Sequence, residues 1–390
     1  MAEVKNNISK FSNCYDCGVC VAVCPKKIID FKENRDGFFS PKISHSDDCI
    51  ECEMCLKVCA FDHEIPYQNS DYEYYAGWSK NTEKRLISSS GGIAYEIAKR
   101  GVENGYKVIG VKYNISTCRA EHFVAEKVED IDRMQGSKYV QSFTPNSLNA
   151  IFDGSKYVVF GLPCYIHSLR NWLRIRKVEY KFILVDFFCH GIPSYLMWDK
   201  YMKDLAEITG TVEAVKWRNK SNGGWHNSWN MILQGQKGTF CCSLKENDIF
   251  YKFFLKNRCL NAACYDSCKY KMCNSAADIR LGDLWSAKYS ADNKGVSGIV
   301  ALTSVGKDVL AELSSSCTIM TEKSDIVTEA QMKTCAKRPS SYLYVKKNLR
   351  SEKSLGEIDR YASRKELFHD KIPFMMKYYL KRIPEKLFKK

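Results

Sequence analysis

Eight cysteines within the first sixty residues fall into two runs with the same spacing. The first run is Cys14, Cys17, Cys20 and Cys24, and the second is Cys49, Cys52, Cys55 and Cys59. Three thiolates spaced three residues apart can each bind one corner of a cubane, while the fourth binds the other cluster of a two-cluster module. The spacing therefore predicts two 4Fe-4S clusters. One would be held by Cys14, Cys17, Cys20 and Cys59, and the other by Cys49, Cys52, Cys55 and Cys24.

Zinc is the competing interpretation of this pattern. Zinc sites usually use paired Cys-x-x-Cys units with a longer interval between them, which these runs do not match. One departure from a regular doubled run is that Ala60 stands where the first run has Pro25. The pattern predicts a protein that moves electrons.

Composition and length place few limits beyond a soluble globular chain. The chain has 390 residues, 45% hydrophobic and 27% charged, which is ordinary for such proteins. We expect no secretory signal, and the best apolar stretch, residues 182–188, has the length of a buried strand rather than of a membrane span. Nineteen cysteines then favour metal and redox chemistry in a reducing compartment, so we expect a cytoplasmic protein.

The net charge of +14 is concentrated near the C-terminus, where the last fifty residues hold 14 Lys and Arg against 6 Asp and Glu. We expect no nucleic-acid binding, because no recognition motif accompanies this charge. Residues 373–390 mix apolar and basic residues at helical spacing. This tail could contact an anionic membrane surface or an acidic partner, or form a solvated helix.

The chain divides into a cysteine-rich segment and a longer region of alternating strands and helices. Residues 1–68 form the first segment, with a turn at residues 36–37, and Tyr67–Trp78 is typical of a linker. A helix is predicted from Ile93 to Gly105, with a preceding serine as its N-cap, followed by a strand at Val108–Val111.

Two later units place chemistry at the ends of buried strands. Lys156–Phe160 runs into Gly161-Leu-Pro-Cys164 and a helix, and Phe182–Phe188 runs into Cys189-His190 and another helix. Ligands of α/β sheets gather at the carboxyl ends of strands. Gly161, Pro163, Cys164, Cys189 and His190 are therefore candidates for a cofactor or substrate pocket.

Several short strings together resemble one protein family. They are Ser90-Gly-Gly92, Gly136-Ser-Lys-Tyr139, residues 161–170 (GLPCYIHSLR), residues 189–194 (CHGIPS), Trp217-Arg-Asn-Lys220 with Gly224-Trp225, and residues 278–285 (DIRLGDLW). In this order they are similar to the coenzyme F₄₂₀ hydrogenase/dehydrogenase beta subunit family. The resemblance implies an iron–sulfur flavoprotein that binds FAD, and bacterial members of this length also resemble proteins from surface-polysaccharide gene clusters.

The resemblance also sets the expected domains. We expect an α+β ferredoxin-like dicluster domain at 1–68, followed by an α/β, mixed-sheet, flavin-binding region. That region comprises the N-terminal family domain at 69–150 and the C-terminal family domain at 151–320. A basic helical tail would occupy 321–390.

The expected flavin contacts lie in two glycine-containing loops and at one carboxylate. Ser90, Gly91 and Gly92 precede a helix and offer backbone N–H groups to a pyrophosphate, and Gly136, Ser137 and Lys138 would add a cationic loop. A capped turn and an exposed lysine are the plainer interpretations. Asp283 could hold a ring nitrogen or cap a turn, and Trp225 or Trp285 could stack on a flavin.

Catalytic roles are assigned to residues that also have structural interpretations. His190 could protonate the reduced product, and Cys164 and Cys189 could line the pocket, although buried histidines and cysteines are often structural. Cys259, Cys264, Cys268 and Cys273 form a further group whose spacing fits neither a ferredoxin run nor zinc. A metal centre and reduced packing cysteines both stay open for this group.

The sequence thus predicts an oxidoreductase that passes electrons between the clusters, FAD and an organic substrate. Ferredoxin or a partner subunit would exchange electrons with the clusters. One alternative is an F₄₂₀-reacting subunit of a hydrogenase or dehydrogenase complex. The other is an electron carrier or binding module without catalysis.

Overall fold

The computed structural model describes residues 6–65, 71–221 and 223–372. The strands are β1 Ile29–Glu33, β2 Phe39–Ile43, β3 Glu73–Ser79, β4 Tyr106–Asn114, β5 Arg119–Ala125, β6 Ser142–Phe143, β7 Lys156–Phe160, β8 Phe182–Phe187, β9 Val212–Lys216, β10 Asn230–Gly235, β11 Thr239–Ser243, β12 Ile279–Asp283, β13 Ser297–Ala301 and β14 Cys317–Thr321. The helices are α1 Val19–Val23, α2 Met54–Lys57, α3 Thr82–Ile87, α4 Ile93–Glu103, α5 Val128–Ile131, α6 Pro145–Leu148, α7 Pro163–Ile175, α8 Tyr195–Thr209, α9 Ile249–Leu255, α10 Ala262–Asp266, α11 Ser304–Glu312, α12 Ser324–Val327, α13 Tyr342–Asn348 and α14 Leu355–Glu366.

The N-terminal module is a β1–β2 hairpin flanked by the two cysteine runs. The predicted turn is present, and Gly37 has a φ of 77°, which glycine adopts without strain. The cysteine runs repeat one backbone conformation. The residues on either side of the second cysteine of each run are left-handed, namely Asp16 and Gly18 in one run and Glu51 and Glu53 in the other. This shared conformation curls each run around its own thiols.

Within the described residues, the main sheet has nine strands in the order β14-β3-β13-β12-β8-β7-β4-β5-β6. The four central strands β12, β8, β7 and β4 are parallel, and β13 and β5 flank them in antiparallel pairing. A separate three-stranded sheet, β11-β10-β9, follows α8. The predicted mixed α/β sheet is confirmed, and it takes strands from both expected family segments.

Both faces of the main sheet are covered by helices. Ile166 and Leu169 of α7 pack on one face with Val159, and Ile97 of α4 packs on the other with Val158. The predicted strand at Lys156–Phe160 has the bounds of β7. Four of its five residues, 157–160, are buried, which explains why the apolar run was readable without structure.

Two local predictions are wrong. The stretch expected to be a linker, Tyr67–Trp78, contains most of β3, which pairs with β13 and β14 inside the main sheet. The first residues of that stretch lie outside the described residues. The N-cap of α4 is Gly92, with a φ of 89°, and no serine side chain caps this helix. Ser90 instead donates a hydrogen bond to the carbonyl of Val296.

The expected helical tail is partly described. Helix α14 is fixed by Arg258, which is fully buried and forms ion pairs with Asp359 and Glu366. The basic segment 373–390 lies outside the described residues. Its contact with a membrane surface or an acidic partner therefore stays a prediction. Among the helices that the structure describes, none combines the length and apolar character needed to cross a membrane.

Candidate functional site

Three members of the first cysteine set, the predicted cluster ligands Cys14, Cys17, Cys20 and Cys59, line a cavity between the N-terminal module and the loop at residues 259–262. This cavity has a volume of about 420 Å³ and is lined by Cys14, Cys20 and Cys59 among other residues. Burial raises the pKa of Cys59 to about 11, and the neighbouring Cys17 thiolate adds to this effect. Burial also raises the pKa of Cys20, and the neighbouring Cys17 and Cys59 thiolates raise it further. Cys59 of the second run therefore lies near thiols of the first run.

The second set lines a smaller cavity of about 20 Å³, formed by Cys24, Cys49, Cys52 and Cys55. Burial raises the pKa of Cys55, with further contributions from Cys24 and Cys52. Cys52 is exposed whereas Cys55 is buried, so this set reaches the protein surface. The Cys55 thiolate also raises the pKa of Cys20, so the two sets lie next to each other.

These thiol sets fit clusters better than single ions. In residues 6–65, 71–221 and 223–372, no group of three or more His, Cys, Asp or Glu side chains is arranged to hold one metal ion. Zinc needs its sulfurs about 2.3 Å from one centre, whereas a cubane binds each thiolate at a separate iron corner. The eight cysteines assigned from the sequence stay the predicted ligands of the two clusters.

The module is fixed to the large sheet through side chains of the β6–α6 region. Gln141 donates to the carbonyls of Asp16 and Phe39 and accepts from the Phe39 N–H. Thr144 donates to the carbonyl of Cys17 at 2.8 Å. A methyl group on Gly18 would lie 2.3 Å from the Thr144 hydroxyl, so this close approach requires glycine.

A third group of thiols forms where strands β7 and β8 end. Cys164 is half-buried; desolvation raises its pKa well above the usual value, and thiolates at Cys17, Cys189, Cys264 and Cys268 would raise it further. Burial also raises the pKa of Cys264, with the Cys189 thiolate as the next cause. The structure thus brings Cys164, Cys189, Cys264 and Cys268 together beside the first cysteine set. We call these four residues the C-terminal thiol group.

The two other cysteines of the loop considered from sequence are not among these four, although Cys259 lines the same cavity as Cys14, Cys20 and Cys59. Cys259 is buried in an aromatic core with Phe254 and Leu260. Cys273 accepts a hydrogen bond from the Tyr74 hydroxyl. Sequence reasoning grouped Cys259, Cys264, Cys268 and Cys273 by proximity in the chain, whereas only Cys264 and Cys268 belong to the thiol group.

His190 lies beside this group but points into an aromatic core. Its ring is 4.9 Å from that of Phe254, and Nε2 is 3.2 Å from the Phe254 carbonyl oxygen. Burial lowers the pKa of His190. Lys271 donates to the carbonyls of Cys189 and His190, which fixes this turn. A catalytic role for His190, Cys164 and Cys189 stays a prediction.

The two loops expected to bind phosphate meet one another. Ser137 donates through both N–H and hydroxyl to the Ser89 hydroxyl at 2.8 Å, next to Ser90. The Gly91 N–H donates to Ser297, and Lys138 donates to the carbonyls of Met134 and Gln135. These donors are satisfied within the protein, so a pyrophosphate would have to replace some of these bonds.

Glycine at these positions has a packing reason. A methyl group on Gly91 would lie 2.4 Å from the carbonyl oxygen of Gly77 in β3. Gly161 is equally crowded, 2.3 Å from the ring of Tyr165, and Pro163 starts α7. Gly136, with a φ of 78°, has open space around its Cα. Among these glycines, Gly136 is the one whose surroundings leave room for a ligand.

Asp283 lies at the centre of a polar and aromatic cluster between the loops. It accepts hydrogen bonds from Arg218 at 2.9 Å and from the Trp225 indole at 3.0 Å. The Arg218 guanidinium lies 4.7 Å from the centre of the Trp229 ring, and Trp225 stacks on Trp285 at 4.7 Å. A planar aromatic face is a group that can stack on the isoalloxazine ring of a flavin, and a cation is one that can bind the phosphates of FAD.

Sequence reasoning missed two cations of this cluster. Arg218 and Lys220 were part of the quoted string at 217–220 but received no role. Lys220 is buried and donates to the carbonyls of Arg85, Ser90 and Lys294, and burial lowers its pKa to about 7. The signal that could have identified them was two cations in a short string that precedes a Gly-Trp pair.

Family models match most of the described region. Residues 13–63 match the 4Fe-4S dicluster domain. Residues 74–149 match the N-terminal domain, and 154–326 the C-terminal domain, of the coenzyme F₄₂₀ hydrogenase/dehydrogenase beta subunit. The chain belongs to this beta subunit family. The family resemblance inferred from the motifs is thereby confirmed, together with a dicluster iron–sulfur domain and membership of an oxidoreductase family.

The chain is also similar to a chain in the xenon-derivatised F₄₂₀-reducing [NiFe] hydrogenase complex from Methanosarcina barkeri. The identity is 18%, the match covers 78% of this chain and 91% of that chain, and the TM-score is 0.47. No curated protein sequence matches the chain.

Proposed function

We propose that this beta subunit family member is an iron–sulfur flavoprotein. It would pass electrons between two 4Fe-4S clusters, FAD and an organic acceptor. The observation that supports this most strongly is that seven of the eight cysteines line two cavities, with Cys59 beside Cys14 and Cys20 at one and Cys24 beside Cys49, Cys52 and Cys55 at the other. Clusters carry single electrons, and a bound flavin supplies the conversion between one-electron and two-electron chemistry.

The proposed route follows the order of the groups in the structure. The second cysteine set reaches the surface at Cys52, where a ferredoxin-type partner or another subunit would exchange electrons. The first set lies between it and the C-terminal thiol group. We propose that this thiol group holds a further iron–sulfur centre, since four thiols gather where ligands of such sheets lie.

The residues around Asp283 would hold the flavin. Arg218 and Trp229 provide a cation and an aromatic face, and Gly136 leaves room for a ligand beside them. Tyr139 stacks on Trp229 with ring centres 5.2 Å apart, and its ring is 5.3 Å from Phe254, which contacts His190. Aromatic side chains thus connect this site to the thiol group.

The F₄₂₀-reacting subunit is the second candidate, and the family assignment favours it at least as well. In that case the acceptor is the deazaflavin F₄₂₀, and this chain works beside partner subunits. A sugar or sugar conjugate is the other acceptor to test, as the resemblance to proteins from polysaccharide gene clusters suggests.

Anaerobic reconstitution with iron and sulfide tests the proposal. We expect about eight irons from the N-terminal module, and about twelve with the third centre, together with a flavin absorbance after incubation with FAD. Cys164→Ser should remove about four irons, whereas Cys241→Ser, at an exposed cysteine remote from the three groups, should remove none. Bleaching of F₄₂₀ absorbance would identify the acceptor.

The same experiment contains the contrary outcomes. Stoichiometric zinc without iron would refute the cluster assignment. Full iron without any flavin after incubation would instead favour an electron carrier over an enzyme. An iron content that Cys164→Ser leaves unchanged would remove the third centre alone.

A further inference from the structure

A single buried hydroxyl connects the first cysteine set to helix α7. Ser168 is fully buried, and its Oγ lies 3.3 Å from the Sγ of Cys17. The backbone N–H of Ala60 donates to the same oxygen at 3.0 Å. Ser168 therefore contacts both parts of the first set, since Ala60 directly follows Cys59.

The direction of the Ser168–Cys17 bond depends on the state of the sulfur. A free Cys17 thiol can donate its proton to the Ser168 oxygen. A thiolate bound to iron has no proton, so the sulfur can only accept, and the Ser168 hydroxyl must donate. The Ala60 N–H already donates to the Ser168 oxygen, which leaves the hydroxyl proton available for the sulfur.

The residue after Cys59 makes this arrangement possible. The equivalent position in the first run is Pro25, and proline has no backbone N–H. Alanine at position 60 restores the donor that orients Ser168. The departure from the regular run, which weakened the sequence pattern, thus has a structural role.

We propose that Ser168 is a positioning residue that raises the reduction potential of the cluster bound by Cys17. This inference depends on the proposed iron–sulfur function. A hydrogen bond to a cluster sulfur stabilises the reduced state, because reduction adds negative charge to the cluster and its sulfurs. A raised reduction potential would favour the transfer of one electron from the reduced cluster of the second set to the cluster bound by Cys17.

The second set has a side-chain contact to sulfur of its own. Asn7 donates to Cys49 through its side-chain amide at 3.5 Å. Ser168 lies one helical turn from Cys164, so the cluster that it would favour is the one nearest the C-terminal thiol group. On this proposal the Ser168 hydrogen bond favours the reduced state of the cluster nearer to the large sheet.

Redox titration of the reconstituted full chain, followed by electron paramagnetic resonance, tests the proposal. We expect Ser168→Ala to lower one cluster's midpoint and leave the other unchanged. A tenfold change in the ratio of oxidised to reduced cluster corresponds to about 59 mV for one electron. Ser168→Thr, which keeps the hydroxyl, should retain the wild-type midpoint. Cys59→Ser identifies which signal belongs to the first set.

Two further variants control for packing. Ala60→Pro leaves Ser168 in place but removes the donor that orients it, and should shift the same midpoint in the same direction. Ser147→Ala removes another buried hydroxyl, which donates to the Thr144 carbonyl rather than to sulfur, and should shift neither.

Several results would overturn the role of Ser168. They are an unchanged midpoint in Ser168→Ala, equal shifts of both clusters, a similar shift in Ser147→Ala, and loss of half the iron in Ser168→Ala. Wild-type protein that takes up no iron would refute the proposed function itself, which is a separate outcome.

Discussion

We expect the loss of the ion pair between Asp186 and Arg280, near the C-terminal thiol group, to lower the free energy of unfolding strongly. Both side chains are fully buried, and Arg280 donates to the two carboxylate oxygens at 2.7 Å each. Arg280 also donates to the carbonyls of Tyr270 and Met272, and Ser275 donates to Asp186. The pair therefore links β8 and β12 to the loop that follows Cys268.

Asp186→Asn keeps the shape of the side chain but leaves a buried cation without its counter-charge. Removing one partner of a buried pair costs about 3–5 kcal/mol, so we expect a loss of this size in the free energy of unfolding. The matched control is Glu312→Gln, which breaks an ion pair with Arg100 that is nearly half exposed, and should cost less than about 1 kcal/mol.

Urea unfolding under anaerobic conditions measures the effect, with the midpoint and the slope fitted for each variant. The double variant Asp186→Leu with Arg280→Met removes both charges together and should recover most of the stability, because no charge is left buried alone. A loss below about 1 kcal/mol for Asp186→Asn would refute the argument. A double variant as unstable as the single variant would also contradict it.

Three further predictions follow from other residues. Cys59→Ser and Cys24→Ser should each remove about four irons. Because these cysteines are predicted to bind the cluster of the other run, Cys59→Ser should abolish the resonance signal of the first cluster and Cys24→Ser that of the second. Loss of the same signal in both variants would contradict the crossing. Burial lowers the pKa of His122 to about 4, below its ordinary value of about 6.5, so the unfolded chain takes up a proton that the folded chain does not as the pH falls between these values. The free energy of unfolding of His122→Phe, relative to that of the wild type, should therefore be about 2 kcal/mol higher at pH 5 than at pH 7.5. Urea unfolding at the two pH values measures this difference, and parallel pH profiles of the two proteins would count against it. Glu53→Gly should raise the free energy of unfolding by about 1 kcal/mol, because Glu53 has a φ of 58° where the first run has Gly18; a lower unfolding midpoint would contradict the strain.

The elements that could be predicted from sequence have strong local signals. Strand β7 is a short buried apolar run, and Pro163 at the start of α7 marks a helix that begins at the strand end. The dicluster domain was predictable because cluster geometry fixes the spacing of its ligands, whereas the crossed assignment of the cysteines stays a prediction. Strand β3 was not, because its tyrosines and polar residues alternate without a buried run, and its pairing with β13 and β14 is formed by residues more than 200 positions away.

The C-terminal thiol group shows where local reasoning ends. Cys164 and Cys189 were placed correctly at the ends of neighbouring strands, because that rule depends only on strand order. Cys264 and Cys268 join them from a loop 75 or more residues later, which only the fold can specify. Chain proximity instead suggested Cys259 and Cys273, which the core and Tyr74 hold elsewhere.

The attachment of the N-terminal module has a consequence for how electrons could arrive. Gln141 and Thr144 hold the backbone of the first cysteine run, and Asn261 holds Asp16 from the opposite side at 2.7 Å. A module fastened in this way is a stationary relay, unlike a tethered carrier that swings between distant donors and acceptors. Solvent viscosity should then slow the encounter with an external donor and leave the internal transfer rate untouched.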